Sequence, residues 1–398
     1  MMLPIHFTLL KKILECGGYN VVLLDSTDQR LINEGLQSVH NDMCYPALLV
    51  IGQLMDALKS GKYDIDKVAL IITQTGGGCR ASNYISLLRK ALIRNGLGHV
   101  PVISLNTANL EKNPGFKITV PFLAKSLLAI AAADLLMLMA NQTKIYEKNP
   151  GDTDKLTDIW IKRIEKILEK NPIAVLNKRK SIFEEIAKDF ANIPTDRTEK
   201  VKVGIVGEIY VKFAPLGNNN LEGFLRSEDV EVTVPGLLGF LFYASSNGVS
   251  DYEVYGKGIF RAFEMHVVSN IISSMQDRII SAVKKYPEYT PPANFWHLRT
   301  LSQPYVGKGN KMGEGWLLTA EMVELIQSGV KNIICTQPFG CLPNHIVGKG
   351  MIRGIKRDYE DANIVAIDYD PGATRINQEN RIKLMLSTAR NNLKNDKK

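Results

Sequence analysis

Cysteine is scarce in this chain, with five residues in 398, and the number is odd. A full disulfide framework is therefore disfavoured, and metal or redox use becomes the reading to test. Long apolar runs are also missing. The most apolar stretch, Pro121 to Ala140, is interrupted by Lys125 and Asp134, which reads as a buried helix and not a membrane span. The opening MMLPIHFTLLKK has no basic region ahead of its apolar residues and no small-residue cleavage site. A signal peptide is not expected, and the expected compartment is the cytoplasm. No Ser-His-Asp set, HExxH motif, short-period repeat or low-complexity tract is evident.

What is present is an ordinary globular composition, 45% hydrophobic and 23% charged, in a chain long enough for two or three packed domains. A net charge of +8 and a pI near 9.0 allow an anionic partner: nucleic acid, an acidic protein, or a phosphate-bearing substrate such as a coenzyme A ester. The excess is diffuse. Lys162 to Lys180 and Arg390 to Lys398 also carry Glu or Asp, as a solvated helix face does. No recognised nucleic-acid motif accompanies the charge, so no nucleic-acid partner is expected.

The first third alternates β-rich and amphipathic stretches: Val21 to Leu24, a helical Ala47 to Lys59, Val68 to Ile72, a helical Ser82 to Asn95, and Val100 to Leu105. Such alternation predicts βαβ units and a parallel sheet. From Glu111 to Lys200 the pattern is helical, with Pro172 and Pro194 as breaks. A second α/β series opens at Val201 and continues through Val230 to Val234, Asn332 to Cys335 and Asn363 to Ile367. Its long helical stretch Tyr252 to Tyr289 has apolar residues at Phe263, Val267, Ile271 and Met275, a face expected to cover the second sheet. The expected architecture is α/β: a first α/β domain over 1–110, a helical connector packed on it over 111–200, and a second α/β domain over 201–398.

Ligands of open parallel sheets sit at the carboxyl ends of the strands. Three cysteine motifs map there. Cys44, in NDMCYP, precedes the helix from Ala47, where the helix dipole favours a thiolate. Cys79 ends QTGGGCR after a strand; Gly76, Gly77 and Gly78 let backbone N–H groups approach an anionic sulfide or phosphate, although the loop lacks the Walker Lys-Ser/Thr. Cys341 lies in CTQPFGCLPNH, a loop fixed by two prolines and a glycine. Cys335, at the strand end, is a weaker fourth ligand, and Cys16 reads as incidental. Each motif also has a plain structural reading, as a buried small residue or a tight turn. Zinc is the second choice, because structural zinc sites use close Cys pairs, and the nearest here is C-x5-C. Three dispersed thiolates suit a 4Fe-4S cluster with one iron lacking a protein thiolate. Glu208, Glu314 and His345 are candidate proton donors near it. Asp368 and Asp370 read equally as a cation site and as an Asp-Pro-Gly turn.

These motifs, with VGIVGEIYVKFAP, GEGWLLTAEM and AIDYDPGATRINQENRIKLML, resemble the carboxy-terminal portion of activase-related proteins in the 2-hydroxyacyl-CoA dehydratase superfamily. That superfamily includes benzoyl-CoA reductase subunits and double-cubane cluster proteins. The resemblance spans nearly the whole chain. It implies two facing Rossmann-like domains with an oxygen-labile cluster between them. It also implies electrons delivered by a separate ATP-dependent activase that carries its own iron-sulfur cluster. The activity implied is that of a reductase or a dehydratase-like enzyme, the substrate being a small molecule such as a CoA ester. A non-catalytic electron-transfer or scaffold protein and a zinc-stabilised binding module are the alternatives. A double-cubane 8Fe-9S cluster needs about six thiolates, more than this chain places well, so a homodimer partner would have to contribute.

Overall fold

The computed structural model describes residues 2–106, 111, 113, 115–170 and 179–395. It is a mixed α/β structure with two parallel sheets. In the first, β1 (Leu70–Thr73) pairs with β2 (Val102–Leu105), in register Leu70 to Val102. The second has the order β4-β3-β5-β6, from β3 (Lys202–Gly207), β4 (Glu231–Thr233), β5 (Asn332–Pro338) and β6 (Asn363–Tyr369), all parallel. β3 and β5 lie at its centre and are buried on both faces, as their near-continuous apolar sequences require.

Three sequence expectations change here. Val21 to Leu24 lies in irregular chain and pairs with no strand among the described residues, so the first sheet has two strands where the sequence promised three. The expected break at Pro172 lies outside the described residues. The stretch Tyr252 to Tyr289 is interrupted by Gly256-Lys257-Gly258, both glycines having positive φ, which separates the helix Leu237–Tyr255 from the helix Ile259–Val283. Within the second of these, Phe263, Val267 and Ile271 are exposed, and only Met275 of the expected face is buried. The buried face uses Ala262, Ser269, Ser273 and Gln276 instead. Ser245 and Ser269 share a hydrogen bond of 2.8 Å across the helix pair. Small hydroxyl residues let the two helices approach closely there, Ile272 and Ile279 are buried further along, and Phe263, Val267 and Ile271 face outward.

The two halves share one continuous core that runs from Leu3 to Ala389. The apolar helix α5 (Val120–Thr143) joins them. It is the one described helix long and apolar enough to span a bilayer, and most of it is buried in protein. Its Asp134 accepts from His6 Nε2 at 2.7 Å on one side. On the other, it accepts from the backbone N–H groups of Leu237 and Leu238 at 2.8 Å each, capping the helix that starts there. A buried carboxylate with three donors is well compensated.

The position of Cys44 depends on a helix crossing. Helix α2 (Arg30–Ser38) packs on α3 (Tyr45–Lys59), which has Pro46 in its first turn, where no N–H donor is needed. A Cβ on Gly52 would lie 2.1 Å from the Leu31 carbonyl oxygen, and one on Gly35 would lie 2.2 Å from that of Leu48. Backbones this close admit no side chain at either position. Gly52→Ala is therefore expected to destabilise the protein by about 1–3 kcal/mol, read as a lowered urea midpoint with unchanged slope.

Candidate functional site

Cys79, Glu208 and Cys341 follow the carboxyl ends of β1, β3 and β5, and Cys44 precedes α3. All four begin helical turns. Cys44 is the N-cap of α3, with φ −61° and ψ 143°, and Cys79 takes nearly the same backbone conformation ahead of the 3-10 turn Arg80–Asn83 that leads into α4 (Tyr84–Arg94). Cys341 precedes the turn containing Asn344, its carbonyl accepting from His345 N at 3.1 Å. Thiols at helix starts face unpaired N–H groups, which favour the thiolate.

The three loops interlock. Tyr45 N donates to the Phe339 carbonyl at 2.9 Å, joining the Cys44 loop to the Cys341 loop. A Cβ on Gly340 would stand 3.0 Å from Cys44 Cα. Arg80 donates to the Asp42 carbonyl at 2.6 Å, joining the Cys79 loop to the Cys44 loop. A Cβ on Gly313 would lie 3.0 Å from Pro343 and 3.8 Å from Cys79 Sγ, so the third pair of loops meets there. Gly76 and Gly77 both have φ of 75°, as the sequence suggested, but the Gly78 N–H is taken by Met312 Sδ at 3.1 Å.

Burial dominates the electrostatics of these thiols. It raises the pKa of Cys44, with partial relief from the Tyr84 hydroxyl 2.8 Å from its sulfur. Burial pushes Cys79 up to about 12, assisted by the nearby charges of Glu314, Glu208 and Cys44. Cys341 is raised by burial and then by Glu314, Glu208 and Cys79. The three thiols and two carboxyls thus form one electrostatic unit. A thiolate among them requires a cation, and metal binding releases the thiol protons.

Glu208 caps the helix Ile209–Phe213, accepting from Val211 N at 2.9 Å, and Glu314 accepts from Ile209 N at 3.0 Å on the same short helix. Both carboxyls are buried, and desolvation raises both pKa values, with the charge of Glu314 raising Glu208 further. Behind them, Lys212 donates to both oxygens of Glu321 at 3.0 and 3.1 Å in a fully enclosed pair.

Not every residue singled out in the sequence joins this cluster. Cys335 is buried in the centre of the sheet, its sulfur 3.4 Å from Asn344 Oδ1, and burial pushes its pKa to about 12, followed by Asp368. None of the other cysteines is among the groups that perturb it. His345 is exposed, and the inward position of its turn belongs to Asn344, whose amide donates to the Thr336 carbonyl at 2.6 Å. Asp370 closes an Asx turn to Gly372 N at 2.7 Å, and Asp368 pairs with Lys349 and Arg381, which favours the turn reading over the cation site. Cys16 is exposed at the end of α1 (Pro4–Cys16), as a residue outside the site would be. Tyr84 and Met312 are site residues that the motifs did not reveal. Tyr84 stands five residues beyond Cys79 on a helix whose pattern already explained it as core.

Among the described residues, no three His, Cys, Asp or Glu side chains are placed to close on one metal ion. A zinc ion needs four ligands at about 2.0–2.3 Å from a single point. A four-iron cluster distributes its thiolates over separate irons and so takes a wider set. Soft thiol donors on separate loops, beside helix starts, are the donor chemistry that such a cluster uses. A cavity of about 100 Å³ elsewhere, lined in part by Asp134, Gln142, Glu231 and Glu324, includes none of the cysteines.

The buried carboxyls make the stability of the metal-free protein pH-dependent. Both folded-state values lie above the ordinary 4.5, so the folded protein holds more protons than the unfolded chain above that value. Their contribution is complete below it and is lost as pH rises, by up to about 1.4 kcal/mol per pH unit for each proton. Urea unfolding between roughly pH 5 and pH 8 is expected to show this decline, and Glu208→Gln to flatten it. Comparison of the chain with family models, curated proteins and solved structures finds no match.

Proposed function

We propose that this chain is an iron-sulfur protein of low-potential reductive chemistry, with Cys44, Cys79 and Cys341 as the ligands of a 4Fe-4S cluster. The observation that carries the reading is the meeting of three loops, each contributing one thiol at a helix start, beside two buried carboxyls. A bound cluster with three protein thiolates supplies one-electron chemistry and an iron left open for a further ligand.

The chain's own residues then have separable tasks. Tyr84 hydrogen-bonds the Cys44 sulfur and holds its rotamer. Arg80 ties the Asp42 carbonyl to its own loop and brings a positive charge near Cys44. Met312 covers the glycine loop and limits the entry of water beside Cys79. Glu208, pushed up to about 8 by burial and by the neighbouring Glu314, holds a proton near neutral pH and can deliver it to a group bound beside the thiols; desolvation raises Glu314 as well. Lys212, locked to Glu321, places a compensating positive charge behind Glu314.

The resemblance to the 2-hydroxyacyl-CoA dehydratase superfamily extends the proposal to a reductase or dehydratase-like enzyme reduced by a separate ATP-dependent activase, acting on a small molecule such as a CoA ester. Anaerobic purification followed by iron, acid-labile sulfide and zinc analysis tests the core of it. Iron and sulfide in near-equal amounts are expected. Cys44→Ser, Cys79→Ser and Cys341→Ser should each lose most of both, whereas Cys335→Ser should retain them. Stoichiometric zinc without sulfide, or equal loss in all four variants, would sink the assignment.

A further inference from the structure

The outward face of the helix Ile259–Val283 is apolar along more than three turns. Ile259, Phe260, Phe263, Val267, Val268 and Ile271 are exposed by 57, 88, 73, 44, 36 and 51%. At 100° per residue these six positions fall within one half of the helix circumference. The opposite half holds Ala262, Ser269, Ile272, Ser273, Gln276 and Ile279, all buried against the protein. The large apolar side chains of its amino-terminal half, Phe260 and Phe263 among them, are thus on its solvent side. Taking about 150–200 Å² for each side chain fully exposed, the six present roughly 600 Å² of contiguous apolar surface. A monomer's largest patch is rarely greater than about 300–600 Å².

We propose that this face is the two-fold interface of a homodimer, two copies of the helix packing antiparallel. Two features favour a second copy of this chain as the occupant. The area, with a polar rim around it, approaches the roughly 800 Å² per partner of a standard stable interface. The stripe is bulky at its amino end, with Phe260 and Phe263, and slimmer at its carboxyl end, with Val267, Val268 and Ile271; antiparallel pairing sets the bulky half of each copy against the slim half of the other.

The interface would also bear on the loop that covers Cys79. The two helices meet at Gly256-Lys257-Gly258, beside the loop from Gly307 to Gly315: the Tyr255 hydroxyl lies 3.0 Å from where a Cβ on Gly309 would stand, and Lys311 pairs with Asp251. Met312 of that loop contacts Gly78. Pairing of two copies would brace the helices against which this loop rests.

Sedimentation equilibrium on the full chain tests the proposal whatever the metal content of the site. The expected result is a species of twice the 44.3 kDa chain mass at micromolar concentration. The double substitution Phe260→Asp and Phe263→Asp is expected to weaken association at least about 100-fold with an unchanged far-UV circular dichroism spectrum, since both side chains are exposed in the single chain. Ile376→Asp, at an exposed apolar position on the helix Arg375–Asn395, should leave the dimer intact. A monomer up to about 100 µM would assign the face to a different chain and overturn the proposal, as would a dimer that survives the double substitution.

Discussion

Everything around the candidate site answers to one constraint, the removal of ionisable groups from water. Two buried thiols, the half-buried Cys79 and two buried carboxyls lie on neighbouring loops, and desolvation is the largest influence on each of their pKa values. The protein compensates with backbone. Cys44, Cys79 and Glu208 sit at the starts of helical turns, and Glu314 accepts from the first N–H of the turn that Glu208 caps. Unsatisfied helix N–H groups are a source of positive potential that can be buried without a further charged side chain.

Holding those turns in place imposes packing demands far from the thiols. The crossing of α2 and α3 through Gly35 and Gly52 anchors the helix that Cys44 begins. Asp134, bonded to His6 and to the start of the helix Leu237–Tyr255, links the two halves of the chain. The Lys212–Glu321 pair lies one turn beyond the carboxyls. A buried ion pair of this kind adds little net stability, but losing either partner would strand a charge in the core. Its position therefore serves the electrostatics of Glu314 more than the strength of the fold.

The helix pair after Pro235 follows a different rule. Ser245, Ser269 and Gly248 allow close approach along part of the contact, Phe242, Ile272 and Ile279 are buried elsewhere on the two helices, and Phe260, Phe263, Val267 and Ile271 face outward. Periodicity in the sequence marked one face of this helix as apolar, correctly, but apolar and buried within one chain are separate properties. A face reserved for a partner has the same pattern as a face reserved for the core.

The sequence by itself determined the class of structure and the local setting of the cysteines. Apolar runs bounded by glycine and proline mark β1, β3, β5 and β6 to within a few residues, most plainly in β3 and β5, because a strand buried on both faces must be apolar throughout. The strand-loop-helix context of Cys79, and Pro46 in the helix after Cys44, are local matters of backbone conformation and could be read directly. Only the tertiary structure decided which of these residues share a site. Val21 to Leu24 has strand-forming residues but finds no neighbour to pair with, since pairing is a property of two segments. Cys335 and Cys341 stand six residues apart, yet one lies in the centre of a sheet and the other at the loop junction. His345 turns outward while Asn344 turns in, and Tyr84, a core residue by pattern, meets the Cys44 sulfur. Each outcome depends on which long-range neighbour occupies the space beside a side chain, and spacing along the chain carries no record of that.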